Sequence, residues 1–425
     1  MKLLHITTHM GGGVGHAISD LVVSDKRNKH EIYLLQQPEK THYVKKCTEH
    51  KINVYGEGNS IKELMLNVDI VILHWWHHPL MYKFLCNFPK AEIRLVLWSH
   101  VSGCTYPFLS YDFINKFDKV LITSKYSLEN NYWQDRKDTI ISKMKLVYGM
   151  GEIKKLKKRD NYKNNEIIKV GYVGTLSKSK LHPDFVITCK KILESIPDLE
   201  FYIIGDKNGG EWINKEAVEL GIKDKIHLIG YVEDINEWLL QFDIFGYLLN
   251  PDHYGTTENS ILEAMTTGLP IVLLNQATEK YIVKHLEDGI LADDIEDYAK
   301  QIIKLAGNIN LRENLGIKAS INVMNKFSFR NNQINFLQGM EEVKEKNKKI
   351  VSFQDVLGKE PYEWFLSGVN PEDKKNFTLK NMKKLKELIK TKYIFFEKTK
   401  SSVIHFANTY PEDKILQVWK DELEN

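Results

Sequence analysis

The chain has 425 residues, 43% hydrophobic and 11% aromatic, which suits two ordinary domains and excludes a disordered or coiled-coil protein. Its 59 Lys and Arg nearly balance 56 Asp and Glu, and a net charge of +3 argues against a protein built mainly to hold nucleic acid. Cys47, Cys86, Cys104 and Cys189 are scattered without a CxxC pair, no apolar run nears the roughly 18 residues of a membrane span, and "MKLLHITTHMGGG" is broken too early by glycine for a signal peptide; these features predict a cytoplasmic protein.

In chain order, apolar and β-branched runs predict strands at "KLLHIT", "HEIYLL", "VDIVILH", "IRLVLWSH", "KVLITS" and "KMKLVYG". The lysine- and asparagine-rich stretch 154–166 reads as a linker. A second series follows at "IIKVGYVG", "LEFYIIGD", "KIHLIGY", "DIFGYLL" and "PIVLLN". Near-continuous apolar strands with helices between them mean parallel sheets buried on both faces. The expected architecture is α/β, with two Rossmann-like domains facing across a cleft and an extra, mainly helical C-terminal segment. Its parts are an N-terminal acceptor domain at 1–153, the linker, a donor domain at 167–330, a returning helix at 331–349 and an appendage at 350–425. In the appendage, Leu379, Met382, Leu385, Ile389 and Tyr393 share one helical face, with Lys380, Lys383, Lys384 and Lys390 largely elsewhere. That pattern predicts a packed helix with a basic outer face, open to peripheral membrane or partner-protein contact.

Three turns carry the chemistry. In "THMGGGVGHA", Gly12 and Gly13 let the backbone approach a ligand, and the helix that follows favours an anion. The dinucleotide fingerprint G-x-G-x-x-G fails there, because its last glycine falls on His16 or Ile18, and the next strand ends in Gln36 and Gln37 rather than an acid. In "GYVGTLSKSKLHPDF", Gly174, Thr175 and Lys180 offer a turn with a counter-charge for a diphosphate. In "TTENSILEAM", Thr257, Glu258, Asn259 and Ser260 are read as the first turn of a helix whose amides face a ligand, with Glu263 suited to a ribose diol. No D-x-D is present, so a carboxylate-bridged divalent metal has no candidate. "HWWHHP" at 74–79 lacks the cysteines that would favour zinc; Trp75, Trp76 and Trp98 are candidates to stack on a sugar.

These residues resemble the retaining GT-B glycosyltransferases of the family 4 type. "ENSILEAMTTGLPIV" resembles that family's nucleotide-binding signature, and "GGGVG", "WSH", "VGYVGTLSKSK" and "IGYVEDINEWLLQFDIFGYLL" follow in consistent order over roughly residues 1–345. The resemblance implies that Glu263 holds the nucleotide's ribose, and that Glu258, Asn259 and Ser260 offer amides to the donor's sugar and diphosphate. It implies further that Lys180 neutralises the diphosphate, that Gly12 and Gly13 approach the phosphate, and that His100 lies beside the donor sugar. Gly230, Tyr231 and Val232 fall where the base is met. Two positions depart from the family. Its first glutamate falls at Gly255, where Glu258 is the candidate substitute, and its arginine falls at Thr175, where Lys178 is the candidate replacement.

The resemblance thus implies metal-independent, retaining transfer from a nucleoside-diphosphate sugar, UDP ahead of GDP, with no cofactor. His100 and Glu258 are the catalytic candidates, His100 stabilising charge on the sugar rather than acting as the principal base. The acceptor, whether glycan, lipid, peptide or small metabolite, has no readable code. The alternatives are a catalytically degenerate subunit or binding module, and a nucleotide-sugar epimerase of the same fold.

Overall fold

The structure is a computed structural model and describes residues 1–153, 156–163, 165–207, 209–379, 382–397 and 401–424; the side chains of Gln134, Asp135, Met382 and Ile389 are left aside. Part of the 154–166 linker and Lys380 therefore lie outside the described residues. The chain forms two compact units. The first comprises Met1–Gly151, Tyr254–Thr257 and Phe329–Asn425, and the second Glu152–His253 and Glu258–Ser328.

Each unit is built on one wholly parallel sheet. The first has β1 (Lys2–Thr7), β2 (Lys29–Leu34), β3 (Asn53–Tyr55), β4 (Ile70–Trp75), β5 (Leu95–Ser99), β6 (Lys119–Ile122) and β7 (Met144–Leu146), in the order β3-β2-β1-β4-β5-β6-β7. The second has β8 (Lys169–Val173), β9 (Glu200–Ile204), β10 (Ile226–Gly230), β11 (Ile244–Tyr247), β12 (Ile271–Leu274) and β13 (Ile290–Ala292), in the order β10-β9-β8-β11-β12-β13. Both orders start from a central strand and reverse direction beside it, the doubly wound pattern that gathers ligand-binding turns at the strands' C-terminal ends. Every residue of β4, β5 and β6 is buried, as covering both faces requires. Apolar runs in the sequence locate all these strands except β3 and β13.

The helix Phe329–Lys344 lays Phe336, Met340 and Val343 against Ile72, Val96, Trp98 and Leu121 of the first sheet. The segment after it is part of that unit's core. Phe353, Trp364, Phe365, Phe395, Phe406 and Trp419 share one apolar cluster with Trp75, Tyr82, Phe113 and Phe117. Tyr410 Oη donates to the carbonyl of Pro79 at 2.8 Å, and Lys349 bridges Ile93 antiparallel. The expected basic helix is shorter than its sequence pattern, Met382–Ile389. Leu385 and Leu388 are buried, whereas Leu379 precedes the helix and is 54% exposed. The described apolar side chains of this helix thus face the core, and Lys383, Lys384, Lys386 and Glu387 are presented outward. Among the described residues no helix is long and apolar enough to cross a membrane.

The stretch 156–163 is packed on the second unit. Arg159 donates to the carbonyls of Leu239 and Phe242 at 3.2 and 2.9 Å, and Tyr162 Oη to that of Gly268 at 2.6 Å. Since Phe365 is wholly buried and Leu379 exposed, Phe365→Ala is expected to destabilise the first unit by about 3–5 kcal/mol. Leu379→Ala should change stability by less than about 0.5 kcal/mol. Denaturant unfolding of the two variants measures the contrast, and equal small effects would mean that the segment is not core.

Candidate functional site

In the second unit the sequence-selected residues meet at the C-terminal ends of β8 and β11. The helix Asn259–Thr266 starts two residues later than expected, and Glu258 is its N-cap with φ 54° and ψ 63°. The left-handed region is costly for any side chain but glycine's, and holding glutamate there needs a local reason. That reason is its carboxylate. Lys180 Nζ lies 2.6 Å from both Glu258 oxygens, Tyr247 Oη donates to Oε2 at 3.1 Å, and His253 Nδ1 is 3.7 Å from Oε1. Lys180 and Glu258 are 6% and 4% exposed, so each needs the other to be charged at this depth. The network continues from His253 Nε2 to Glu279 at 3.1 Å, and Gln276 Nε2 donates to Glu279 at 3.3 Å. Burial pushes the Tyr247 phenol well above its ordinary range, and the neighbouring Glu258 charge adds to it, so Tyr247 remains a donor.

Asn259, Ser260 and Glu263 share that helix, Glu263 half-buried one turn beyond Asn259. Gly174 ends the turn after β8, where its N–H reaches the carbonyl of Ile204 at 2.9 Å. Thr175 is exposed and uses its carbonyl to accept from Tyr172 Oη at 2.9 Å. Lys178, the expected replacement for the missing arginine, sits 2.7 Å from Glu216 and over the Trp212 ring at 4.6 Å. Its charge is already engaged there. Gly230 has φ 100° where β10 ends, and it is followed by Tyr231, which is 64% exposed, and by Val232.

Thr257 corrects the expectation that it begins the helix. It belongs to the first unit, where its Oγ1 donates to the carbonyl of Thr123 at 3.0 Å and accepts from Gly149 N–H at 2.8 Å. Gly255 is also in the first unit, with φ 53°, and a Cβ there would stand 3.0 Å from Tyr126 and 3.1 Å from Ser102. A side chain at this position would need the left-handed backbone and a shift of a few tenths of an ångström in those neighbours.

The first unit places Gly12 (φ 66°) and Gly13 at the start of the helix Gly12–Ser24 and His100 just beyond β5. Trp75 and Trp98 are 2% and 1% exposed and cannot stack on a sugar; Trp76 is half-buried, beside His9 at 5.4 Å. The histidines of "HWWHHP" go three separate ways. His77 bonds Tyr106 Oη at 3.0 Å, and His78 Nδ1 caps the helix Pro79–Cys86 by accepting from Leu80 N–H. His74 joins a feature that strand-by-strand reading does not disclose. A file of imidazoles runs Asp25–His30–His5–His74–His100, with successive N···O or N···N distances of 3.1, 2.9, 2.9 and 3.0 Å. In the strand register, His30 is level with Leu3, His5 lies two residues on, His74 is two beyond that and His100 two beyond Trp98. Each step is one strand across and two residues up, which keeps every ring on one face of the sheet. The signal available in the sequence is a histidine inside or closing each of four otherwise apolar strands. Among the described residues no group of three His, Cys, Asp or Glu is arranged to hold a metal ion.

Residues 153–322 match the family described as Glycosyl transferases group 1. The second unit is a group 1 glycosyltransferase domain. The chain is 25% identical over 160 residues to 2-deoxystreptamine N-acetyl-D-glucosaminyltransferase of Niallia circulans, covering 37% of this chain and 40% of the relative. It is 30% identical over 141 residues to the UDP-Gal:alpha-D-GlcNAc-diphosphoundecaprenol alpha-1,3-galactosyltransferase of Escherichia coli, covering 31% and 35%. The chain thus spans well under half the length of these curated relatives. Solved structures extend the likeness beyond the group 1 domain. Anabaena HepE in complex with UDP and glucose superposes with a TM-score of 0.63 at 14% identity, over 80% of this chain and 99% of that one. A glycosyltransferase from Rickettsia africae gives 0.61 at 14% over 81% and 99%. The fold is that of the GT-B glycosyltransferases, with a helical C-terminal segment.

The group 1 domain's buried ion pair gives the first expected outcome. Glu258→Gln leaves the Lys180 ammonium buried without its counter-charge and should cost about 3–5 kcal/mol in denaturant unfolding, although the amide keeps the shape. A second concerns acid. Burial lowers His5, His74 and His77 well below the ordinary imidazole range and takes His78 and His100 to about 3 and His405 to about 4. Unfolded imidazoles bind a proton near 6.5, and these folded ones do so only far lower. Their burial therefore costs no stability above about pH 6.5, and stability falls as pH drops from there toward about 3. Thermal unfolding between pH 7.5 and 4.5 is expected to show Tm declining from the upper end; a flat profile would contradict the burial.

Proposed function

We propose that the protein transfers a sugar from a nucleoside-diphosphate sugar, UDP ahead of GDP, to an acceptor with retention of configuration and without a divalent metal. One observation carries the reading. The group 1 match falls on the unit in which Lys180, the N-terminus of the Asn259–Thr266 helix and Glu263 come together. The activities of the relatives, and UDP in the HepE complexes, support the donor class.

In this mechanism Glu263 accepts from the ribose hydroxyls, and Tyr231 provides a ring for the base. The amides of Asn259 and Ser260, at the positive end of the helix, receive the negative charge that develops on the leaving diphosphate. Lys180 is the cation of the site, and Glu258 sets its position. No protein nucleophile is required if the acceptor attacks on the face that the diphosphate leaves, its proton passing to a phosphate oxygen.

The competing reading is a nucleotide-binding subunit without turnover, and one observation favours it: position 255, where the family's signature has a glutamate, is a glycine. A thermal-shift titration with UDP, GDP and their sugars, with and without EDTA, separates the readings. For the transferase, UDP raises Tm equally in EDTA and a UDP-sugar is consumed; binding without consumption identifies the subunit. Glu263→Ala is expected to weaken UDP binding about tenfold or more, or about 1.4 kcal/mol, in a protein whose unfolding is unchanged. UDP affinity equal to that of the unaltered protein would remove Glu263 from the site.

A further inference from the structure

The histidine file obeys a simple donor–acceptor rule. A neutral imidazole has one N–H and one lone pair, and an ionised carboxylate can only accept. Asp25 is ionised: burial works to raise its pKa, but hydrogen bonds from His30, Asn28 at 2.7 Å and Arg27 N–H at 2.9 Å outweigh this and hold it well below the carboxylate range. His30 must therefore donate Nε2–H to Asp25 and accept at Nδ1. His5 then donates from Nε2 to His30 Nδ1, His74 from Nε2 to His5 Nδ1, and His100 from Nε2 to His74 Nδ1. One carboxylate dictates four tautomers. The reverse arrangement would set a lone pair of His30 against a carboxylate oxygen.

The rule leaves His100 presenting Nδ1 as a lone pair, near the position where a Cβ on Gly149 would stand at 3.3 Å. The rings are stacked or tilted, with centroids 5.1, 5.2 and 5.3 Å apart. Phe336 lies over His5 and His30, and Trp98 beside His74 and His100. Apolar walls of this kind keep water from entering partway along.

We propose that Asp25, His30, His5 and His74 form a proton relay that makes His100 an acceptor at Nδ1 and carries a proton from there to His30, where Asp25 holds the imidazolium. The source of the proton rests on the transferase reading: it is a hydroxyl of the bound sugar, which sheds it as positive charge develops on the ring. That proton bonds to His100 Nδ1, His100 passes its Nε2 proton to His74 Nδ1, His74 passes its own to His5 Nδ1, and His5 passes its own to His30 Nδ1. One proton enters, one positive charge ends at His30, and the oxygen left negative offsets the charge on the ring; reversal of the same shifts restores the start. His100, with its pKa lowered by burial to about 3, cannot keep the proton itself, and burial disfavours charge on His5 and His74 as well. Asp25 is the place where that charge is matched. Asp25, His30, His5 and His74 are positioning residues, acting through His100.

Two measurements on the full-length chain test the relay. In two-bond ¹H–¹⁵N spectra of histidine-labelled protein at pH 7.5, His5, His30, His74 and His100 are all expected as the Nε2–H tautomer. Nδ1–H or a mixed population at His100 overturns the relay whether or not the protein has activity. His5→Phe cuts the file while filling its volume, and should lower kcat on the order of ten- to a hundredfold with the donor KM unchanged. Wild-type kcat in a folded His5→Phe protein also overturns it. If the wild type consumes no nucleotide sugar, it is the transferase reading that fails, and the spectra still decide the tautomers.

Discussion

A parallel sheet has to be covered on both faces, and a polar side chain set into such a layer must find its partner within it, because water is not there to serve. Both units obey this constraint, and much of their detail follows from it. Lys180 and Glu258 are each too deep to be charged alone, and together with Tyr247 and His253 they make a closed set. The imidazoles on β1, β2 and β4 have no solvent to turn to and satisfy one another in a line. The long C-terminal segment answers the apolar side of the same demand, covering the aromatic rings of the first unit.

The same constraint separates positions 255 and 258. The backbone at Gly255 is left-handed with Ser102 and Tyr126 close by, whereas the left-handed residue at 258 carries a side chain held by Lys180, Tyr247 and His253. Strain of this kind persists where the surroundings over-determine the residue. The carboxylate at 258 is thereby committed to Lys180. Under the transferase reading, the lysine meets an incoming diphosphate already half-neutralised, and the helix amides carry more of the phosphate's charge.

Legibility in the sequence tracked the range of the interaction. Eleven strands show as apolar runs because burial on both faces is a local pattern, and the glycine turns and helix start after them are local too. The edge strands β3 and β13 lie in segments that carry no such run. Trp75 and Trp98 look like sugar platforms until the sheet is assembled and the C-terminal helices cover Trp75. The left-handed Glu258 and the burial of Lys180 depend on residues nearly eighty positions apart. The histidine diagonal is the clearest case. Each histidine is visible in its strand, but their alignment exists only once the order β2-β1-β4-β5 and the register are known.

The first unit is assembled from separated parts of the chain, with Phe329–Asn425 returning after almost all of the second unit has been spelled out. During synthesis the ribosome therefore releases the first sheet long before it releases Phe353, Phe365, Phe406 and Trp419, the residues that close over Trp75 and Phe113. The strands of the second unit emerge in the interval, each beside most of what it needs. The unit begun first is the one finished last, and its apolar face stays open through that interval as a surface for chaperones to guard.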